Sequence, residues 1–294
     1  MTSPPSGGGN ADGPPSACGN DVPHAAELMR AVLVRRRYVC DYEVGERPLP
    51  APDALLRGAR PGLLPLSSVA CVATDDPVVA LTYDDGPDPE QTPDVLDALA
   101  EAGAKATFFV LVDRAAEHPD LIRRIAAEGH EIGLHGEDHT RLTTLPVRES
   151  LRRIRRGKRR LEELTGQPVK LFRPAYGAQT VAQAVGTRAS GLEIVLWTAW
   201  ARDWEEAPAA EVAARSFAAL HTGGFLLLHD ATGDLVPPPG PRPTFNRGEV
   251  TRRLLADMKG CGWASDGVSS LMARYPVVRT LWAARRASGR GEPG

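Results

Sequence analysis

The chain has 294 residues, a formal net charge of −2 and 42% hydrophobic residues. This composition is typical of a globular protein, and the length allows one large domain or two small ones. The nearly balanced charge argues against nucleic acid as a partner, and no protein partner is evident. No stretch approaches the roughly 20 apolar residues that a membrane-spanning helix needs, so we expect no membrane span.

The distribution of Pro, Gly and periodic apolar residues divides the chain into four segments. Residues 1–20 are rich in Pro, Gly and Ser and predict a disordered tail. Residues 21–75 are an N-terminal extension of unknown role, with a predicted helix over 25–36. Residues 76–275 are predicted to form the main domain, followed by a C-terminal tail at 276–294. The first residues lack the apolar segment of a signal peptide, which predicts a cytoplasmic protein; a different start codon would leave secretion open.

The main domain alternates apolar strands with helices. The predicted strands cover 78–83, 106–111, 131–134, 169–172, 193–197 and 225–229, with a weaker one near Trp263. The predicted helices cover 92–102, 119–128, 147–164 and 246–258, with Thr92 and Asn246 as N-caps and Gly103, Gly129 and Gly166 as stops. About seven such units predict a parallel sheet in a closed or nearly closed β/α barrel.

Side chains that can act in catalysis or bind a metal follow five of these strands. In chain order they are Asp84 and Asp85, His135 and His139, Arg173 and Tyr176, Asp203 and Trp204, and His229 and Asp230. In a parallel β/α barrel the carboxyl ends of the strands meet on one face. These side chains are therefore predicted to share one site.

The Asp84-Asp85 pair and two histidines indicate a metal site. Two ionised carboxylates at the end of an apolar strand are costly unless their charge is used, and a bound cation would use it. His135 and His139 are four residues apart, a spacing that places two imidazoles on one side of a helical turn. With one strand-end Asp they leave metal positions open for water and substrate. Zinc is expected, and cobalt or nickel would also fit.

The same residues fall in five ordered motifs: Thr82-Tyr83-Asp84-Asp85-Gly86-Pro87, His135-x-x-x-His139, Arg173-Pro174-Ala175-Tyr176-Gly177, Asp203-Trp204 and Leu226-Leu227-Leu228-His229. These motifs resemble those of the NodB-homology polysaccharide deacetylases, carbohydrate esterase family 4, over about residues 77–273. The resemblance implies an α/β fold, a distorted (β/α) barrel of about seven parallel strands with an N-terminal extension. It also implies metal-dependent removal of an N-acetyl group from an amino sugar, in a polysaccharide, oligosaccharide or small glycoside, with release of acetate.

The resemblance also implies a role for each catalytic residue. Asp85, His135 and His139 are the implied metal ligands. Asp84 is the implied general base, which takes a proton from the attacking water. His229 is the implied general acid, because an amine leaves poorly until it is protonated.

The remaining motif residues are expected to support this machinery. Arg173 is expected to hold Asp84, since a guanidinium offers a rigid fork to a carboxylate. Asp203 is expected to orient His229 and raise its pKa. The implied substrate-binding residues are Tyr176, whose backbone N–H would bind the oxyanion, Trp204, Leu227 and Trp200.

Two positions depart from the pattern. Gly136 follows the first histidine, where the family commonly has Ser or Thr, so one hydrogen bond that would steady the ligand is expected to be missing. Trp200 replaces an acid that often precedes the Asp-Trp motif, which puts the substrate in doubt more than the mechanism. One alternative is a hydrolase of another small amide, imide or ester in a biosynthetic pathway. A second is an inactive carbohydrate-binding module, against which the full residue set argues.

Overall fold

The computed structural model describes residues 33–34, 64–232 and 243–283 of the chain. Its strands, in chain order, are β1 (Leu33–Val34), β2 (Ser68–Val72), β3 (Val78–Asp84), β4 (Ala106–Leu111), β5 (Glu131–Gly136), β6 (Leu171–Phe172), β7 (Glu193–Ile194), β8 (Ala199–Trp200), β9 (Phe225–His229), β10 (Ala264–Ser265) and β11 (Val277–Thr280). Its helices are α1 (Thr92–Ala102), α2 (Val112–Glu117), α3 (Pro119–Ala127), α4 (Val147–Thr165), α5 (Val181–Ala189), α6 (Ala209–Ala218), α7 (Arg247–Gly260) and α8 (Val268–Arg274). Short 3-10 turns lie at Leu64–Leu66, Leu142–Thr144 and Ala175–Gly177.

The main sheet has the strand order β7-β6-β5-β4-β3-β9-β8, and every neighbouring pair in it is parallel. These seven strands curl into a half-barrel, and β10 pairs with the start of β3. The prediction of an α/β fold with about seven parallel strands in a distorted barrel is confirmed. Full closure is not formed in the described residues, because β7 and β8 end the sheet at opposite edges.

Strand β3 is an interior strand of this sheet and brings the site together. All seven of its residues are buried, which explains why its sequence is a nearly continuous apolar run. It pairs with β4 on one side and β9 on the other. The register places Asp84 directly beside His229, the last residue of β9. The carboxyl ends of the central strands therefore lie together, as the β/α pattern predicted.

The helix ends follow their sequence signals with one exception. Helix α4 ends at Gly166, which has a left-handed φ of 66° that glycine adopts without strain. Helix α7 begins after Asn246, whose side chain accepts a hydrogen bond from the N–H of Glu249. The prediction that Thr92 is the N-cap of α1 is wrong: Gln91 holds that position. The Thr92 hydroxyl instead donates to a buried carboxylate described below.

In the main sheet, two predicted strands are shorter than expected, and strand β8 was not predicted. The strand predicted at 193–197 ends at Ile194, and the strand predicted at 169–172 is confined to Leu171–Phe172. The carbonyls of Val195 and Leu196 accept hydrogen bonds from the guanidinium of Arg173, at 3.3 and 3.0 Å. These two carbonyls thus bind a side chain and do not extend the ladder. Strand β8 follows separately and pairs with β9.

The ends of the described part form a second, smaller sheet. Strand β11 pairs antiparallel with β2 and parallel with β1. The helix predicted over 25–36 is contradicted at its two described residues, Leu33–Val34, because they pair in this sheet. The predicted tail at 1–20 and the rest of that helix lie outside the described residues, and the four-segment division stays a prediction. Among the described helices, none is both long and apolar enough to cross a bilayer.

Candidate active site

Asp85, His135 and His139 converge on one point and form the predicted ligand set. One oxygen of Asp85, Oδ1, lies 3.2 Å from Nε2 of His135 and 3.4 Å from Nε2 of His139. The candidate ligand atoms all lie within 4.8 Å of one another, and Asp85 and His135 are buried. Three side chains with this spacing and these donor types match a catalytic metal site that keeps open positions.

The hydrogen bonds around this set fit a bound cation. Nδ1 of His135 lies 2.8 Å from the carbonyl oxygen of Arg173 and must be the donor, because a carbonyl can only accept. In the neutral ring, Nε2 then carries a lone pair and faces Oδ1 of Asp85. That oxygen is buried and accepts no hydrogen bond from the described residues. Two lone pairs aimed at each other are unfavourable without a positive charge between them, so these residues fit a divalent metal.

The electrostatics of Asp85 point the same way. Burial acts to raise the pKa of Asp85, but the nearby imidazoles of His139, His135 and His229, which favour the ionised carboxylate, together outweigh it and hold the pKa below its usual range. The carboxylate therefore stays ionised, which is the form that binds a metal.

The four-residue spacing of the two histidines had indicated a helical turn, but the loop between them is not helical. His135 lies in β5, and the chain bends from residue 137 to residue 139 so that both rings reach Asp85. Gly136 permits this bend, because a Cβ there would lie 2.6 Å from the carbonyl oxygen of Asp138. The absence of Ser or Thr at this position is thus explained by the tight path of the loop.

Two arginines of α4 hold this loop from outside. Arg156 donates to both oxygens of the buried Glu137, and Arg153 donates to Asp138 at 2.8 Å. The Arg-rich face of α4 stays partly solvated, since the side chains of Arg153 and Arg156 are 22% and 47% exposed. The loop that follows β5 packs onto this face and supplies acidic partners for both arginines.

Asp84 and Arg173 form a buried ion pair beside the ligand set. Nη1 of Arg173 donates to Oδ1 of Asp84 at 2.8 Å, and also to the hydroxyl of Thr82 at 2.7 Å. Arg173 is fully buried, and its other nitrogens donate to the two carbonyls named above. The other carboxylate oxygen of Asp84, Oδ2, lies 3.9 Å from Nδ1 of His135. Arg173 thus fixes one oxygen of Asp84, while the other lies beside the imidazole of His135.

His229 and Asp203 form a second polar pair on the opposite side. Nδ1 of His229 donates to Oδ1 of Asp203 at 2.8 Å, and its backbone N–H donates to Oδ2 at 2.7 Å. Burial acts to lower the pKa of His229, but the charge and hydrogen bond of Asp203, with the charges of Asp85 and Asp84, together outweigh it and raise the pKa to about 9. Burial acts to raise the pKa of Asp203, but the charge and hydrogen bonds of His229, with the charge of Arg247, together outweigh it and hold that pKa below its usual range.

Arg247 completes this second pair and was not identified from the sequence. Its Nη1 donates to Oδ2 of Asp203 at 3.1 Å and to the carbonyl oxygen of His229 at 2.8 Å. Arg247 is the first residue of α7, whose start was predicted from the Asn246 cap. The cap could have indicated that Arg247 lies at a helix start, but not that this helix start lies beside β9.

Asp230, the residue after His229, was also not assigned a role. It is 1% exposed and accepts hydrogen bonds from the Gly86 N–H at 3.1 Å and the Thr92 hydroxyl at 2.6 Å. Burial raises its pKa to about 7, with the Thr92 hydrogen bond and the charge of Arg247 opposing the shift. Its side chain therefore contacts the turn after β3 from behind the site.

The four predicted substrate-binding residues lie on two sides of these groups. Tyr176 has a left-handed φ of 60°, and its ring centroid lies 4.4 Å from that of His139. The Trp204 ring meets His229 edge-on, with centroids 5.9 Å apart. Leu227 is buried in an apolar cluster against which Trp200 and Trp204 pack. An apolar wall thus stands beside the imidazole of His229.

Sequence comparison finds relatives of this site. The family described as "Polysaccharide deacetylase" matches residues 72–195. A chitooligosaccharide deacetylase of Rhizobium leguminosarum bv. trifolii is 36% identical over 53% of this chain and 73% of its own length. The peptidoglycan-N-acetylglucosamine deacetylase PgdA of Listeria monocytogenes is also 36% identical, over 52% of this chain. That alignment spans only 32% of the Listeria protein, so the chain corresponds to about a third of it.

Solved structures share the fold. The Bc1960 peptidoglycan N-acetylglucosamine deacetylase superposes with a TM-score of 0.62 and 28% identity, over 69% of this chain and 91% of that one. The fold also occurs, at 22% identity and a TM-score of 0.60, in BA3943 of Bacillus anthracis, which is described as a CE4 family pseudoenzyme; the match covers 67% of this chain and 66% of that one. With the motifs, the strand order and these relatives in agreement, the chain belongs to the NodB-homology polysaccharide deacetylase family.

Proposed function

We propose that this chain is a divalent-metal-dependent hydrolase that removes the acetyl group from an N-acetylated amino sugar and releases acetate. The observation that carries the proposal is the convergence of three units at the strand ends: the Asp85-His135-His139 set, the Asp84–Arg173 pair and the His229–Asp203 pair. Each unit supplies one requirement of amide hydrolysis, namely a cation site, a base and an acid.

Asp85, His135 and His139 would hold the metal, with zinc expected and cobalt or nickel as alternatives. When bound, a divalent cation lowers the pKa of water and polarises a carbonyl group. The chain's own part is to hold the three ligands in fixed orientations. The hydrogen bond from His135 to the Arg173 carbonyl fixes the ring and leaves Nε2 free to bind.

Asp84 is the proposed base, and its two oxygens have different tasks. Oδ1 accepts the hydrogen bond from Arg173 and anchors the carboxylate. Oδ2 lies beside the His135 imidazole and is the atom that would take a proton from the attacking water. Arg173 also supplies the positive charge that balances this buried carboxylate.

His229 is the proposed acid, and its tautomer is set by Asp203. Because the carboxylate can only accept, Nδ1 of His229 carries the proton in their hydrogen bond. Nε2 is therefore the atom that would deliver a proton to the leaving amine. A pKa raised to about 9 keeps the ring protonated at neutral pH, which an acid requires. The backbone N–H of Tyr176 is proposed to stabilise the oxyanion.

A carbohydrate substrate is supported by the names of the relatives, which act on peptidoglycan and chitooligosaccharides. A second candidate, another small amide, imide or ester, is favoured by the apolar surface at Trp200 and Trp204. An inactive carbohydrate-binding module is a weaker candidate, because such a module has no need of a buried base, acid and ligand set together.

Acetate release from a substrate panel tests the proposal. Zinc-loaded protein would be assayed with chitooligosaccharides, peptidoglycan fragments and small N-acyl compounds, beside the variants Asp84→Asn and His229→Ala. We expect turnover of an N-acetylated sugar that both variants lose. Asp266→Asn and His118→Ala serve as matched controls, since Asp266 binds Arg274 and His118 lies between α2 and α3. Full turnover by Asp84→Asn would refute the mechanism, and turnover of non-sugar amides alone would replace the substrate.

A further inference from the structure

The turn that follows β3 holds the ligand Asp85 in a conformation that its own residue type disfavours. Asp85 has a φ of 78°, in the left-handed region that residues with a Cβ seldom adopt. Such a conformation costs of order 1–3 kcal/mol and persists only where the surroundings determine it. Asp85 is buried, so contacts inside the protein must supply this support.

Asp230 contacts the backbone on both sides of Asp85. Its Oδ1 accepts a hydrogen bond from the N–H of Gly86 at 3.1 Å. Its own backbone N–H donates to the carbonyl oxygen of Asp84 at 3.2 Å. The residue directly after β9 thus binds the peptide group before Asp85 and the peptide group after it. Rotation of Asp85 away from the two histidines would break one or both of these bonds.

The space at Gly86 shows how closely the Asp230 carboxylate approaches this turn. A Cβ on Gly86 would lie 2.1 Å from Oδ2 of Asp230, which is an impossible contact. The glycine in the Asp84-Asp85-Gly86 sequence is therefore required by the carboxylate that lies against it. The missing side chain at Gly86 leaves the space that the Asp230 carboxylate occupies, although the two residues are 144 positions apart in the sequence.

Thr92 connects the same carboxylate to the start of α1. Its hydroxyl donates to Oδ2 of Asp230 at 2.6 Å and accepts from the N–H of Asp88 at 2.7 Å. Each oxygen of Asp230 therefore has a donor, and the chain from Asp84 to Thr92 is fixed at both ends. The use of the Thr92 hydroxyl here also accounts for its failure to cap α1.

We propose that Asp230 is a positioning residue for the metal ligand Asp85, which it holds in place through the backbone of Gly86. This inference rests on the proposed function in one respect, namely that Asp85, His135 and His139 bind a divalent cation. Asp230 itself does not bind the metal: its carboxylate lies behind the turn, on Gly86 and Thr92. Partners that orient a metal ligand typically contribute 10–100-fold to metal affinity.

The affinity for zinc, measured by competition with a chromogenic chelator at one fixed pH, tests the proposal without any substrate. We expect Asp230→Ala to bind zinc about 10-fold or more weakly than the unaltered protein. Asp230→Asn keeps an oxygen for the Gly86 N–H and should recover much of that loss. Gly86→Ala leaves Asp230 in the chain but displaces its carboxylate, so we expect it to weaken zinc binding as well.

Glu131→Ala is the matched control for a purely structural effect. Like Asp230, Glu131 accepts hydrogen bonds from a threonine hydroxyl and a backbone N–H. The donors are the Thr107 hydroxyl at 2.9 Å and the Ser269 N–H at 3.0 Å. It lies at the start of β5, so its loss should lower the thermal stability while the zinc affinity stays unchanged. Thermal unfolding of the zinc-free variants would be measured beside every affinity.

The outcomes separate this proposal from the proposed function. Failure of the unaltered protein to bind zinc, or equal binding by Asp85→Ala, would overturn both. Normal binding by the unaltered protein, loss in Asp85→Ala and unchanged affinity in Asp230→Ala would overturn the role of Asp230 alone. Equal weakening in Asp230→Ala and Glu131→Ala would also overturn it, because the effect would then follow general stability. Weakening in Asp230→Ala and Gly86→Ala, with recovery in Asp230→Asn, would confirm it.

Discussion

The metal-ligand half of the site (Asp85, His135 and His139) and the acid half (His229, Asp203 and Arg247) are both largely buried, yet their charges are balanced differently. In the acid half, each oxygen of Asp203 has a donor within 3.1 Å. In the metal-ligand half, Oδ1 of Asp85 accepts no hydrogen bond from the described residues and faces two imidazole nitrogens.

This difference indicates how each half reaches its working state. The acid half is complete within the protein, because its negative charge is shared by a histidine and an arginine. The metal-ligand half has an unsatisfied carboxylate oxygen that a cation would complete. A bound metal should therefore alter the metal-ligand half strongly, while the acid half should respond only through long-range charge.

Removal of the metal should have the largest effect. We expect a chelator to abolish acetate release and added zinc to restore it, because the ligand half alone cannot activate water. Zinc at 100 times its Kd should also stabilise the fold by about 2.7 kcal/mol, measured by thermal unfolding. Asp85→Asn is the control and should show neither effect of zinc. Undiminished turnover after complete chelation would show that the metal-ligand half does not need a cation for activity.

The next largest effect is expected from Arg173→Met. The change leaves Asp84 buried without its partner, which typically costs about 3–5 kcal/mol of folding stability. Urea denaturation of the metal-free protein measures this cost. The double variant Asp84→Asn with Arg173→Met removes both charges and should regain much of the stability. A cost below about 1 kcal/mol for the single variant would mean that Asp84 does not depend on this pair.

The origin of this ion pair also shows what the sequence could predict. Strand β3 could be predicted because burial on both faces makes it an apolar run, and the β/α rule then places Asp84, His135, Arg173 and His229 at one edge. The short strand β8 could not be predicted, because two residues carry no periodic pattern. The early end of β7 depends on the guanidinium of Arg173, which comes from a different strand end.

The supporting residues were beyond sequence reasoning for the same physical reason. The Asn246 cap predicts that a helix begins at Arg247, but its contact with Asp203 depends on how α7 packs against β9. Thr92 has the sequence context of a helix cap, and only the position of Asp230 assigns its hydroxyl elsewhere. The reactive side chains can be identified from short sequence motifs. The residues that hold them in place can be identified only from the tertiary packing.

A smaller effect, visible in a pH profile, is expected from Asp203→Asn. Because Asp203 raises the pKa of His229 to about 9, its loss should lower that pKa and move the basic limb of kcat/KM to lower pH. The raised pKa of His229 also makes the stability of the fold depend on pH. In the metal-free protein the raised pKa stabilises the fold fully below about 6.5, and this contribution disappears as the pH rises through about 9.

Histidine titration by NMR, with and without zinc, checks this prediction and links the two halves. The charges of Asp85 and Asp84 also raise the pKa of His229, after that of Asp203. Zinc neutralises Asp85, so we expect the His229 pKa to fall when zinc binds. In Asp203→Asn the pKa should start lower and fall again with zinc. If neither zinc binding nor Asp203→Asn altered the His229 pKa, the role assigned to Asp203 would be contradicted.

The smallest effect is expected from Arg247→Lys. A lysine keeps the positive charge beside Asp203, but its compact ammonium cannot reproduce the fork that reaches both Asp203 and the His229 carbonyl. Because His229 retains its own two bonds to Asp203, we expect kcat to fall only a few-fold and KM to stay constant. Arg252→Lys is the matched control on the same helix, where Arg252 pairs with Glu101 on the surface, and it should leave both constants unchanged. A loss of kcat as large as that of His229→Ala would instead mean that the acid half is not complete in His229 and Asp203 and depends on the arginine to place the proton.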